Sequence, residues 1–163
     1  MGRNKYYKNK KGIKISTIVD INGIPLSLLI INGNESDLTS LKPTVDNLFI
    51  ETNSYQYKNN NRYKQYFLGD KGYYSKNNKL ILSEKGYKPI IGINNRNTKN
   101  PKKIKRLSPK EKIIYKKRII VENFFAKIKK YPKLDKIYEK KIDNYFGLLL
   151  LGSLHLLNNF MTK

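Results

Sequence analysis

The chain of 163 residues has no cysteine, no tryptophan, one histidine and only 12 acidic residues. Without cysteine there are no disulfides, thiolate zinc sites or cysteine nucleophiles. The single histidine, His155, excludes a His-based metal cluster and argues against a Ser-His-Asp triad. The longest nearly unbroken apolar run, residues 146–157, is well short of the roughly 20 residues that span a bilayer. The basic N-terminus also lacks the apolar stretch of a signal peptide. These absences predict an intracellular protein with no membrane partner, whose chemistry must come from carboxylates.

Positive charge is present in large excess, since 34 Lys and Arg against 12 Asp and Glu give a formal charge of +22. Lys, Asn, Ile and Tyr supply 82 of the 163 residues, so an AT-rich genome is one explanation for the lysine content. The charge is nevertheless clustered. Residues 85–141 carry 20 basic and four acidic groups, whereas residues 15–70 carry four basic and six acidic groups. Such clustering is typical of proteins that bind a polyanion, and nucleic acid is the natural candidate.

Hydrophobic periodicity and turn residues predict alternating strands and helices. Strands are predicted at residues 12–20, 25–31, 63–69 and 87–93, with a hairpin turn at Asn22-Gly23 between the first two. Helices are predicted from Ser36 or Asp37, from Ser75 to Gly86, from a capping box at Ser108 to about Lys130, and over residues 142–160. This order favours a single α/β domain over residues 1–163 with a mixed sheet flanked by helices. Residues 94–107 are predicted to form a mobile basic loop.

Asp70 is the first carboxylate with a predicted role. It follows the apolar run Tyr66-Phe67-Leu68 at the carboxyl end of a predicted strand. Ligands of α/β sheets bind outside the carboxyl ends of the strands, which is where this side chain should lie. The alternative is an Asp that only helps to form the turn before Lys71-Gly72.

Glu122 is the second candidate, in the pattern Tyr115-x2-Arg118-x3-Glu122-x6-Lys129. At about 100° per residue, these four positions fall within an arc of roughly 60° on one helix, beside an apolar stripe. One edge of the helix would therefore pack on the core. The adjoining edge would carry a carboxylate, two basic side chains and a tyrosine. The alternative is an Arg118–Glu122 pair that stabilises the helix by a few tenths of a kcal/mol.

The four-residue pattern resembles the signature around the catalytic Glu of insertion-sequence DDE transposases, which have an RNase H-like core. The segments GRNKYYKNKKGIKISTIVDINGIPLSLLIINGNESD, FLGDKGYYSK and NYFGLLLLGSLHLL are similar to other blocks of these enzymes, in the same order. The resemblance implies cleavage and transfer of DNA strands with Mg²⁺ or Mn²⁺. It implies that Asp70 and Glu122 are catalytic and bind the metal, that Arg118 and Lys129 hold backbone phosphates, and that Tyr115 contacts the DNA.

In that family the first catalytic Asp lies on a strand before the block with which this chain begins, and Asp20 does not match its position. We therefore expect the C-terminal part of a transposase without its first strand, either a decayed fragment or a second reading frame. A second polypeptide is one source of the missing strand. The isolated chain is expected to be inactive or weakly active, because two-metal catalysis needs ions at a fixed separation.

The partners expected for such a protein are duplex DNA of the transposon ends and target, in the cytoplasm or nucleoid. The basic residues Lys102, Lys103, Lys105 and Arg106 are predicted to bind phosphates with a steep dependence on salt. The carboxylates of Asp70 and Glu122 are expected within ~4–8 Å of each other, so that ions can bridge them. Two alternatives stay open at this stage. One is a basic nucleic-acid-binding protein without catalysis, and the other is an RNase H-type nuclease.

Overall fold

Strands and helices alternate along the chain in the computed structural model, which describes residues 2–3, 11–49, 65–93 and 106–162. The strands are β1 (Gly2–Arg3), β2 (Lys11–Val19), β3 (Pro25–Asn32), β4 (Tyr66–Gly69) and β5 (Lys88–Ile91). The helices are α1 (Asp37–Asp46), α2 (Lys76–Glu84), α3 (Pro109–Lys116), α4 (Ile119–Ile128), α5 (Pro132–Asp135) and α6 (Ile142–Met161), and a 3₁₀ turn covers Lys71–Tyr73. The α/β class is confirmed. Most of the predicted basic loop, including Lys102, Lys103 and Lys105, lies outside the described residues.

The β2–β3 hairpin forms where the sequence predicts it. The two strands pair in antiparallel register from Ile13 opposite Asn32 to Ile18 opposite Ser27. Gly23 has a φ of 85°, a conformation that residues with a Cβ rarely adopt. The Asp20 carboxylate stabilises the turn by accepting hydrogen bonds of 2.8 Å from the backbone N–H groups of Asn22 and Ile24. The local sequence therefore determines both the turn and its register.

The strands form two sheets, and the single mixed sheet expected from the sequence is not observed. β1, β2 and β3 form an antiparallel sheet, while β4 and β5 form a parallel pair with Gly69 opposite Ile91. Within the described ranges, no backbone ladder joins β2 to β4. Residues 13–19 of β2 pair only with β3, so their other edge has no strand beside it in this part of the chain. Hydrophobic alternation predicts strands, but it does not determine which strands are neighbours.

The helix predicted from Ser108 to about Lys130 is interrupted after Lys116. The Ser108 capping box is present, and α3 starts at Pro109 as expected. At Lys117 and Arg118 the backbone N–H groups donate to carbonyls three residues earlier, and α4 begins at Ile119. Five of the nine residues 113–121 are β-branched, and such residues lose side-chain freedom in a helix. The break changes the relative orientation of Tyr115 and Glu122 from that of one continuous helix.

Two apolar clusters hold the elements together. The first joins the antiparallel sheet to α4, α5 and α6 through Leu28, Phe124, Ile128, Leu134, Tyr145 and Leu149. The second packs α1 and α2 against β5 through Leu41, Val45, Leu82, Tyr87 and Ile91. Residues 148–157 of α6 are mostly apolar, but only part of this run is core, because Leu151 and Leu154 are more than half exposed. No helix in the described part of the chain is long and apolar enough to cross a membrane.

Candidate functional site

The parallel strands β4 and β5 place their carboxyl ends side by side. Because Gly69 is opposite Ile91, the residues that follow, Asp70 and Gly92, leave the sheet at the same edge. Asp70 precedes the 3₁₀ turn, and its side chain is 61% exposed. This is the edge at which α/β sheets bind their ligands. The turn after Asp70 packs against α1, so the carboxylate projects from a supported segment.

Arg118 connects Asp70 to Glu122. Its Nη1 atom lies 2.8 Å from Oε1 of Glu122 and 3.8 Å from Oδ1 of Asp70. The two carboxylate oxygens can therefore be no farther apart than the sum of these two distances, which is within the ~4–8 Å expected for groups that share ions. Glu122 lies in the first turn of α4, where the helix dipole favours a negative charge. Residues 52 positions apart in the sequence are thus brought to one place.

The ring of Tyr115 lies beside the Arg118 guanidinium that pairs with Asp70 and Glu122. The Arg118 Cζ atom lies 5.5 Å from the centroid of the Tyr115 ring. The hydroxyl oxygen is buried against Gly92, at which any Cβ would overlap it, and it has no hydrogen-bond partner among the residues described. Burial raises the pKa of the Tyr115 hydroxyl, and the nearby Asp70 carboxylate raises this pKa further. The enclosed hydroxyl is not available for contact with DNA in this position, and the predicted contact of Tyr115 with DNA stays a prediction.

Asp37 is a further carboxylate, packed against the turn that follows Asp70, and sequence reasoning treated it only as a helix cap. Ser36 caps α1 instead, accepting a hydrogen bond from Thr39 N–H. Lys14 lies 3.5 Å from the Asp37 carboxylate, which packs so closely on Gly72 that a Cβ there would overlap it. Burial and the charge of Asp37 raise the pKa of the Tyr73 hydroxyl. The glycine two residues after Asp70 is the sequence signal that indicates this close approach.

The remaining predicted DNA-binding residues are more dispersed. Lys129 is exposed at the carboxyl end of α4, on the face that carries Glu122 and about 10 Å farther along the helix. Arg106 lies at the start of the segment that leads into α3. The structure therefore brings together Asp70, Tyr115, Arg118 and Glu122, whereas Arg106 lies at a cavity beside Tyr115 and Lys129 lies farther along α4.

Comparison with protein-family models matches the chain to the transposase DDE domain over residues 1–158. The chain belongs to this family. The match confirms the resemblance found in the sequence and supports transposase function and a DNA substrate at the level of the family. Comparisons with curated proteins and with solved structures find no match.

Transposases with DDE domains generally use divalent metal ions. In the described ranges of this DDE domain, no group of three or more acidic or histidine side chains is placed to hold a metal. Asp70 and Glu122 nevertheless present exposed carboxylate oxygens to one shared cation, the Arg118 guanidinium. Mg²⁺ prefers oxygen ligands and keeps waters and substrate phosphates among its ligands. The two carboxylates of the DDE domain thus fit such an ion as partial ligands.

Proposed function

We propose that this DDE domain takes part in metal-dependent cleavage and transfer of DNA strands during transposition of an insertion sequence, with Asp70 and Glu122 as the catalytic, metal-binding residues. The observation that carries the proposal is the position of Arg118, one nitrogen of which lies 2.8 Å from Glu122 and 3.8 Å from Asp70. Mg²⁺ or Mn²⁺ would stabilise the attacking and leaving oxygens of an in-line displacement at a phosphodiester. Duplex DNA of the transposon ends and target would be the partner, in the cytoplasm or nucleoid.

The side chains around the carboxylates would act on the substrate through charge. Arg118 orients both carboxylates and would hold a backbone phosphate when DNA is bound, since guanidinium groups recognise phosphate oxygens well. Lys129 would hold a second phosphate farther along α4. The hydroxyl of Tyr115 is enclosed against Gly92, and its ring lies beside the Arg118 guanidinium. This favours a role for Tyr115 in positioning Arg118.

The proposal includes an RNase H-like sheet completed by one more strand. Residues 13–19 of β2 and the side of β4 away from β5 have no neighbouring strand in the part of the chain that the structure describes. A strand between them, from an upstream segment or a second polypeptide, would join the two sheets. It would also bring a third carboxylate to the edge where Asp70 lies.

The test measures nicking and joining of labelled duplexes that carry the transposon ends, in Mg²⁺ and in Mn²⁺. We expect no reaction with the isolated chain and cleavage when a polypeptide that supplies the additional strand is present. Glu122→Gln keeps the shape of the side chain but removes its charge, so it should abolish the restored cleavage. Glu84→Gln, at an exposed position in α2, is the matched control and should leave cleavage unchanged. Cleavage by the isolated chain that survives Glu122→Gln would refute the assignment.

DNA binding without cleavage is the second candidate function. It is favoured by the absence of a three-carboxylate cluster among the described residues, together with 20 basic and four acidic groups in residues 85–141. In that case every combination of polypeptides in the same assay would bind duplex DNA and none would cut it.

A further inference from the structure

A small cavity with three cationic side chains lies next to Asp70. Its volume is about 250 Å³, and we call it the cationic pocket. Its basic lining residues are Lys71, Arg106 and Lys112, and its other lining residues are Gly92, Ile93, Leu107 and Tyr115. Lys71 directly follows Asp70, and Gly92 follows the neighbouring parallel strand. The cationic pocket therefore opens at the same sheet edge as the two proposed catalytic carboxylates, with Tyr115 between them.

The charge of the cationic pocket is not neutralised by the part of the protein that the structure describes. Lys71, Arg106 and Lys112 form no ion pair there, while Asp70 and Glu122 are both paired with Arg118. All three cationic residues are also exposed. Three positively charged side chains around one cavity repel one another, and an anion bound there would reduce this repulsion.

The size of the cationic pocket limits the kind of anion. Cavities that enclose a small organic molecule usually measure ~300–1,000 Å³, so this one suits a smaller group. Its apolar wall, formed by Ile93 and Leu107, would accept the adjoining sugar of a nucleic acid chain. Lysine and arginine side chains are the usual partners of DNA phosphates.

We propose that the cationic pocket binds a phosphodiester phosphate of the DNA strand that lies across Asp70 and Glu122, with Lys71 and Lys112 as its main ligands. This inference rests on the proposed function, because it takes DNA as the substrate. Sequence reasoning identified Arg106 as a DNA-binding residue but gave no role to Lys71 or Lys112. Only the fold brings these lysines together across 41 positions of the chain.

The test compares two double variants in titrations of a short labelled duplex at several salt concentrations. Lys71→Gln with Lys112→Gln removes two charges from the cationic pocket. Lys76→Gln with Lys110→Gln removes two exposed charges from neighbouring positions that do not line it. Each phosphate contact contributes ~0.9 to the slope of log affinity against log salt. We therefore expect the pocket variant to lose up to ~2 in slope and about tenfold in affinity, and the control to lose much less.

Two further measurements make the result specific. Lys71→Arg with Lys112→Arg should restore duplex affinity, and circular dichroism should show that every variant is folded. Inorganic pyrophosphate should compete with the duplex for the wild-type protein and have a weaker effect on the pocket variant. Equal losses in the pocket and control variants would overturn the proposal while leaving the proposed function intact. A wild-type protein that binds pyrophosphate at the pocket but no duplex would contradict both the DNA source and the proposed function.

Discussion

At the scale of single residues, Arg118 competes with any divalent ion for the oxygens of Asp70 and Glu122. Arg118→Gln removes this competing charge, and exposed ion pairs of this kind are worth ~0.2–1 kcal/mol. We therefore expect the variant to bind Mn²⁺ about 1.4- to fivefold more tightly, measured by the loss of the free-ion signal in electron paramagnetic resonance. Arg118→Lys keeps the positive charge and serves as the control. Unchanged or weaker Mn²⁺ binding by the Gln variant would show that the two carboxylates do not hold the ion.

Tyr115 offers a second test at the residue scale, because its buried hydroxyl lacks a hydrogen-bond partner in the described structure. Leaving such a group unpaired costs ~1–3 kcal/mol, so Tyr115→Phe should leave the free energy of unfolding unchanged or raise it. The pKa of Tyr115 is raised in the folded protein. Its contribution to stability is therefore complete below the ordinary tyrosine pKa of about 10 and is lost as the pH rises through the folded value.

The measurement for Tyr115→Phe is urea unfolding at neutral pH and above pH ~10, with an ultraviolet titration of the tyrosines. In the variant, the ultraviolet absorbance should change less at the most alkaline pH values. Its free energy of unfolding should also fall less steeply as the pH rises. Tyr138→Phe, at a position that is 68% exposed, is the control. A large loss of stability in Tyr115→Phe at neutral pH would show that the hydroxyl has a partner.

The sequence predicted the residues of the candidate site better than their surroundings. The proximity of Asp70 and Glu122 was expected from the resemblance to DDE transposases, in which both residues belong to one site, and not from the local pattern around either residue. The positions of Asp37 and Lys112 relative to Asp70 could not, since both contacts join segments that are distant in the sequence. The catalytic and metal-binding roles of Asp70 and Glu122 stay predictions, as do the DNA-binding roles assigned to the basic residues and Tyr115.

At the scale of elements, α3 depends on its capping box, since it has only eight residues and no fully buried side chain. Ser108→Ala removes the hydrogen bond that the Ser108 side chain accepts from Glu111 N–H. Loss of such a cap costs about 1 kcal/mol, within a range of ~0.5–2. Urea unfolding should show this loss, whereas Ser108→Asp should retain most of the stability. An Ala variant as stable as wild type would mean that packing on β5 alone holds α3.

The predicted element boundaries agree with the structure where local caps and turns determine them. The predicted sheet does not, because strand pairing joins distant segments. The starts of α1, α2 and α3 at Ser36, Ser75 and Ser108 were predicted from capping residues. The break at Arg118 was not predicted, because the apolar periodicity continues across it. Only the backbone hydrogen bonds change, from carbonyls four residues earlier to carbonyls three residues earlier. The separation into two sheets was missed for a different reason. Strand neighbours depend on contacts that no local pattern contains.

At the scale of the whole molecule, the uneven charge should determine how DNA binding responds to salt. Replacing Lys102, Lys103, Lys105 and Arg106 by Ala should reduce the slope of log affinity against log salt by several units, at ~0.9 for each lost phosphate contact. The control replaces the four basic residues of the nearly neutral segment 15–70, namely Lys42, Lys58, Arg62 and Lys64. Equal slopes for the two variants would indicate that the lysines around residue 104 reflect codon bias alone.

The edge of β2 that has no neighbouring described strand can promote association between copies of this protein. Along residues 13–19, alternate residues present backbone donors and acceptors on a side that no described strand covers, and such edges are templates for pairing with another chain. Like charges of +22 keep two copies apart at low ionic strength, and added salt screens that repulsion. Light scattering should therefore show aggregation that increases with salt and decreases when Ile15 is replaced by Pro. Salt would then weaken the hold on DNA and strengthen self-association at the same time.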